Sequence, residues 1–311
     1  MDFSLTDDQE LLRETAHKLL ERECPPALVR AHIDDPDVYA SLWQFLSEYT
    51  PLGVGPCTDA CLFLEETGYA AAPGPFLATM LFAALTGESD AVGTVALDDD
   101  FTNPFVLEAD RVEKIAFVLP GPKLAIVDAN SVKKDFVTTV DFSRRLFSVD
   151  ADEIEGLPLD RARLTAWRDR AHTLLAAEMV GTARRIFDMS LEYAKERKQF
   201  DVPIGSFQAI QHRLAESSLA LERATAAVHY AAMTVDAADA DRARACHVAK
   251  AAAGAAARRI VKDGAQVHGG IGYTWEHDLH LYLRRATADE YLLGTTSWHL
   301  DRLANLVIGP A

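Results

Sequence analysis

Two long alanine-rich stretches set the tightest limit on what this chain can fold into. From Ile204 onward, Phe207, Ile210, Leu214, Leu221, Val228 and Val235 recur at helical spacing. From Asp241 onward, Ala249, Ala253, Ala256 and Ile260 keep the same rhythm. Amphipathic helices with small residues on the apolar face bury that face by lying close against one another. The pattern therefore predicts an antiparallel four-helix bundle. The Asp/Ala-rich run Asp236–Asp241 reads as the connection between the two helices.

Upstream, the pattern changes twice. The first 87 residues read as helical: Thr6, Asp7, Asp8 and Gln9 form a capping-box start. Leu11, Leu12, Ala16, Leu19 and Leu20 then mark one buried face, which Cys24-Pro25-Pro26 ends. Further helices are expected around Leu42–Glu48, Asp59–Thr67 and Phe76–Leu85. Residues 88–160 are β-rich, with strands expected at Ala91–Leu97, Val112–Leu119, Lys123–Asp128 and Leu146–Val149, read as a small antiparallel sheet. Residues 161–311 return to helix. The expected architecture is mainly α, with a small central β domain: 1–87 an N-terminal helical domain, 88–160 a short β domain, 161–311 the four-helix bundle.

Composition narrows the function. The chain has 311 residues, 49% of them hydrophobic, enough for a sizeable core. Its formal net charge of −16 disfavours nucleic acid and anionic membrane as partners. Cys24, Cys57, Cys61 and Cys246 form no CxxC pair, and the acidic start is no signal peptide, so a reducing cytoplasm is expected. No apolar run approaches the ~20 residues of a membrane span.

Several familiar constellations fail. Gly269-Gly270-Ile271-Gly272 follows a long helix rather than a strand, which excludes a dinucleotide fingerprint. His277 and His280, beside Glu276 and Asp278, read as a solvated face rather than a metal cluster, and no metal site is expected. Two polar segments serve no packing purpose: Arg197–Gln208 and Gln266–Tyr273. An Arg, several Gln and aromatics beside a helix N-terminus can hold a pyrophosphate and its nucleoside. A Gln before two glycines offers an amide and bare backbone to a close ligand. The plainer alternative is a helix turn with a glycine C-cap.

In this order and spacing the segments resemble the acyl-CoA dehydrogenase family. Asp2-Phe3-Ser4-Leu5-Thr6-Asp7-Asp8-Gln9 is similar to the family's first helix, and Glu65-Glu66-Thr67-Gly68-Tyr69 to its Glu-Glu-x-Gly helix end. Asp141-Phe142-Ser143-Arg144 resembles a strand-end motif of bacterial members. Arg197–Phe200 with Phe207-Gln208, and Gln266 through Tyr273, match its two C-terminal signatures. The resemblance implies α,β-desaturation of an acyl-CoA thioester, with FAD as cofactor and electron-transferring flavoprotein as the usual acceptor. It further implies that Arg197, Gln199, Phe200, Phe207, Gln208, Gln266, Gly269 and Gly270 contact the adenosine–diphosphate half of an FAD held by a neighbouring subunit.

The departures from the family pattern matter as much. The usual catalytic Glu positions read Leu293 and Ala171, so no catalytic base is assigned. Asp169 corresponds to a family Asp near the CoA moiety, and its usual Arg companion reads His172. The Thr-Glu-Pro and Trp-Ile-Thr elements that cradle the flavin ring are missing between Glu88 and Asp160. The expectation is a short subunit of a heteromeric enzyme, similar to the α2β2 steroid-degrading dehydrogenases of actinobacteria. A homologous partner would supply the base and the ring pocket. Two alternatives stay open: a self-sufficient dehydrogenase with a displaced base such as Asp169, Glu178 or Glu276, and a flavin-free structural subunit.

Overall fold

The structure, a computed structural model, describes residues 4–97, 105–150 and 154–309. Asp2 and Phe3 of the opening motif lie outside the described residues. Helix α1 (Asp7–Glu23) starts at the capping box: the Thr6 hydroxyl accepts from the Gln9 amide at 3.3 Å, and the Gln9 side chain accepts from the Thr6 amide at 3.1 Å. Ala16 and Leu20 are buried as expected, whereas Leu11 is 62% exposed, at the edge of the apolar stripe. The prolines end α1 and also start α2 (Pro26–Asp34), because proline at the first helical turn gives up only an amide that would be unpaired anyway. Helices α3 (Tyr39–Leu46), α4 (Cys57–Ala70) and α5 (Phe76–Thr86) complete this region.

The β-rich zone holds two small sheets rather than one. Strands β1 (Gly93–Leu97), β3 (Lys114–Leu119), β4 (Lys123–Asp128) and β7 (Leu157–Pro158) form the first, in the order β1-β3-β4-β7. Strands β2 (Val106–Leu107), β6 (Leu146–Val149) and β5 (Lys134–Val137) form the second. The expectation of a purely antiparallel domain needs correction, because β1 and β3 pair in parallel, Gly93 against Lys114 through Leu97 against Val118. The chain leaves the first sheet after β1, contributes β2 to the other, and returns in the original direction. Period-two alternation does not record direction, so the sequence could not reveal this. Ile115, Phe117, Val106 and Phe147 share a small core between the sheets.

Helix α6 (Arg161–Glu196) runs 36 residues, about 54 Å at 1.5 Å per residue. A two-residue hairpin, β8 (Lys198–Gln199) and β9 (Val202–Pro203), joins it to α7 (Gln208–Asp236), followed by α8 (Arg242–His268), α9 (Leu279–Asp289) and α10 (Thr296–Ile308). Leu214, Leu221 and Val228 on α7, and Ala249, Ala253, Ala256 and Ile260 on α8, are buried as the spacing predicts. One apolar core runs from Ala16 on α1 to Leu293 after α9. Asp236 closes this assembly from the far end of α7: its carboxylate accepts from the Cys57 amide at 2.5 Å and the Thr58 amide at 3.0 Å, capping α4. All four cysteines are buried and free. Among the described residues, no helix is long and apolar enough to cross a membrane.

A buried ionic cluster ties the sheets to the bundle. Arg285 on α9, 1% exposed, donates to Asp141 at 2.7 Å, to Glu178 on α6 at 2.9 Å and to the Ser143 hydroxyl at 2.9 Å. Arg144 donates to Glu178 at 2.6 Å and to Asp289 at 2.5 Å. The Asp141-x-Ser143-Arg144 motif is therefore the clamp that holds the β region on α6 and α9. Burial pushes the Asp289 carboxyl up to about 7, against the pull of Arg144.

Candidate functional site

Because α6 and α8 pack directly on each other and α7 runs back antiparallel to both, the end of α6, the start of α7 and the end of α8 meet at one end of the bundle. Ala194, Leu214 and Val267, one from each helix, share a small apolar cluster there. The Tyr193 ring stacks on His268 at 4.4 Å, fixing the last turn of α6 against that of α8. The eight residues expected to contact a dinucleotide all lie at this end, and all eight are exposed.

Arg197 is the C-cap of α6, and its backbone pairs with Tyr193 and Ile204. Its guanidinium makes no hydrogen bond or ion pair among the described residues. Beyond it the hairpin turns on Phe200 and Asp201, with φ of 55° and 64°. Two successive positive φ values are what a tight two-residue hairpin requires, and Asn-Gly fills such a turn with less strain than Phe-Asp. The turn lifts Phe200 to 88% exposure, with its ring edge-on to Phe207 at 6.3 Å. Gln199 donates to the Lys198 carbonyl at 2.8 Å. Phe207 is the N-cap of α7 and supplies no side-chain cap, so the first amides of α7, beginning at Gln208, are open to an acceptor. A groove of about 600 Å³ between Phe187, Leu191, Pro203 and Leu214 adjoins this hairpin. At the end of α8, Gln266 is exposed, Gly269 has φ +64°, and a β-carbon at Gly269 or Gly270 would meet nothing within 4 Å.

One cation, uncapped helical amides, side-chain amides, two exposed aromatic rings and bare glycine backbone form a donor set suited to an anionic dinucleotide. The residues present fit such a group. Glu276, near this end, is fully exposed, and its carboxyl is held low chiefly by a hydrogen bond from Thr274.

The two base positions lie elsewhere. Leu293 is 8% exposed with φ +50°, and Ala171 is 1% exposed. Leu293 lines an apolar cavity with Leu77, Leu81, Trp167, Leu175 and Leu292. Ala171 sits one helical turn from both Trp167 and Leu175 on α6. Arg197 is 26 residues beyond Ala171 on the same helix axis, a rise of about 39 Å. Along α6 the structure therefore separates the candidate dinucleotide segments from the Ala171 position.

The acids named as a displaced base are already engaged in ion pairs or lie elsewhere. Asp169 pairs with Arg242 on α8 at 2.8 Å, and burial raises its carboxyl above the usual range. Glu178 is held by Arg144 and Arg285. Lys250 on α8 is fully buried, with its pKa pushed down to about 8 by that burial, and it donates to the Gly294 carbonyl at 3.0 Å, pinning the turn after Leu293. Sequence reading missed Lys250 and Arg285; the available signal was a charge falling within the buried stripes of α8 and α9. His280 corrects the expected solvated face: it is buried, with its ring 4.6 Å from that of Trp275.

Residues 166–308 match the sequence profile of the "Acyl-CoA dehydrogenase, C-terminal domain" family. Acyl-CoA dehydrogenase IpdE2 of Mycolicibacterium smegmatis is 34% identical over 96% of this chain and 98% of its own length. The chain belongs to the acyl-CoA dehydrogenase family, a family of oxidoreductases. Among solved structures, the Tcur3481-Tcur3483 steroid ACAD superposes with a TM-score of 0.85 at 23% identity, covering 97% of this chain and 98% of that one. The ChsE4-ChsE5 complex from Mycobacterium tuberculosis gives 0.83 at 22% identity, with each chain fully covered. At such identities these two show the family fold, and they agree with the expected α–β–α order.

Proposed function

We propose that this chain is one subunit of a heteromeric, FAD-dependent acyl-CoA dehydrogenase, and that it supplies the adenosine–diphosphate contacts of a flavin seated in a homologous partner. The observation that carries this reading is the separation along α6. Arg197 stands about 39 Å from Ala171 along α6, a distance too long for one dinucleotide to link the chain's exposed segments to that position. The proposed contacts are Arg197 for the diphosphate, the open amides at the start of α7 for the same charge, and Phe200, Phe207, Gln199, Gln208, Gln266, Gly269 and Gly270 for the rest of that half. FAD, when bound, supplies the hydride acceptor for α,β-desaturation.

Among the described residues, the cavity at Leu293 is lined by Leu77, Leu81, Trp167, Leu175 and Leu292 with Thr94 as a hydroxyl, and by no carboxylate or imidazole. The base and the ring pocket are assigned to the partner, in an α2β2 assembly with electron-transferring flavoprotein or an equivalent acceptor. The division into residues 1–87, 88–160 and 161–311 and the role of Asp169 beside the CoA moiety belong to the same proposal. The steroid ACAD and the ChsE4-ChsE5 complex among the structural relatives support a steroid-derived acyl group and a two-chain assembly.

The test is Arg197→Ala in the complex co-purified with its partner. Loss of most bound FAD, with the complex intact by size-exclusion chromatography, is expected. Retention of all FAD would favour a flavin-free structural subunit.

A further inference from the structure

At the opposite end of the bundle from Arg197, three histidines converge from three helices: His172 of α6, His247 of α8 and His299 of α10. One ring nitrogen from each lies within 4.8 Å of the other two. The Nδ1 atoms of His247 and His299 are 2.8 Å apart, and the His172 ring stands edge-on to His299 at 4.7 Å. We propose that His172, His247 and His299 form a binding site for a divalent transition ion, zinc foremost, with the fourth coordination position facing the adjoining cavity.

The hydrogen bonding prepares the site. His299 Nε2 lies 3.0 Å from the Leu293 carbonyl, which only accepts, so Nε2 carries the proton and Nδ1 presents its lone pair. That second-shell bond orients a ligating imidazole and fixes its tautomer. With no ion bound, the contact between the two Nδ1 atoms needs a proton on His247. On binding, that proton moves to His247 Nε2, and the ion takes its place between the rings with no net change in charge on either.

Tetrahedral zinc with bonds of about 2.0–2.1 Å sets its ligands roughly 3.3 Å apart. The close pair must open slightly and the wider nitrogens draw in, a movement of the order of side-chain rotation.

The cavity reaching His172 and His247 measures about 350 Å³ and is also lined by Asp169, Arg168, Trp298 and Arg302. Asp169 is committed to Arg242, and Lys250 to the Gly294 carbonyl. The arginines make an anionic oxygen the favoured fourth ligand over neutral water. Three imidazoles from separate helices and one open position make a ligand set suited to zinc, cobalt or copper rather than to calcium or magnesium. Through Leu293, the ion would also steady the turn where the family's base usually stands.

The full chain, stripped of metal by chelation, is titrated with Zn2+ and with Co2+, and bound metal is counted by mass spectrometry. One ion per chain is expected, with the intense visible absorption of four-coordinate Co2+. His247, which is partly exposed, is the variant to use, since substitution at the fully buried His299 risks unfolding. His247→Ala should weaken binding by more than about 100-fold, beyond the loss that an outer-shell contact causes. His277→Ala, at the other end of the bundle, should change nothing. The weak spectrum of six-coordinate Co2+, no stoichiometric ion, or binding that survives His247→Ala would each overturn the site. None of these outcomes depends on whether flavin binds.

Discussion

Gly181 of α6 lies so close to α4 that a β-carbon there would stand 1.8 Å from the carbonyl oxygen of Glu65. Gly68 of α4 returns the relationship: a β-carbon there would stand 2.1 Å from the carbonyl oxygen of Glu178. Two glycines thus set the distance between the helices that join the two ends of the chain. Gly181→Ala must push them apart and should cost on the order of 3 kcal/mol, the upper range for overpacking. Gly270→Ala, whose β-carbon meets nothing within 4 Å, should cost under about 0.5 kcal/mol. Urea unfolding of both variants decides the point, and equal losses would contradict the interlock.

The three histidines of the α6–α8–α10 cluster make the chain acid-sensitive. Unfolded, they titrate near 6.5, whereas burial holds them far lower in the fold, at about 3 for His299. As pH falls below about 6.5 the unfolded state takes up protons first, so stability present above that pH declines towards pH 4. Unfolding free energy measured from pH 7.5 to 5 should drop, and His247→Leu should flatten the slope. An unchanged slope in that variant would contradict the assignment.

Asp289 acts in the opposite sense. Its carboxyl, raised by burial to about 7, stays protonated in the fold where the unfolded chain has ionised, from about pH 4 upward. That contribution is complete below about pH 4 and is lost as pH rises through 7. Asp289→Asn removes this opposing contribution, so the loss of stability from pH 7.5 to 5 should become steeper than in the unaltered chain. A slope identical to that of the unaltered chain would count against it.

Arg285→Met leaves buried Asp141 without its cation and Glu178 with Arg144 alone. Removing one member of a buried ion pair costs roughly 3–5 kcal/mol. Lys18→Met, which breaks an exposed pair with Glu14, should cost under about 1 kcal/mol. Comparable losses in the two variants would contradict a clamping role for the cluster.

The helices, and the exposure of the candidate segments at one end of the bundle, were legible for physical reasons. The buried stripes of α7 and α8 repeat at the helical period, and the capping box at Thr6 and Gln9 is a local signal. Arg197, Phe200 and Gly269 stood out because polar and bare residues there pack nothing. What escaped was non-local. The parallel pairing of β1 with β3 leaves no trace in alternation. The Arg285–Asp141 bond spans 144 residues, and the His247–His299 contact spans 52, so no spacing rule links them. Leu11 failed because the stripe on α1 is narrower than its leucines imply.

The most direct measurement is the number of FAD molecules per chain in the complex purified with a homologous partner. Half-site sharing predicts one FAD per pair of unlike chains, no bound flavin in this chain alone, and turnover of an acyl-CoA only in the complex. One FAD per chain in a homo-oligomer of this protein, with turnover, would contradict it.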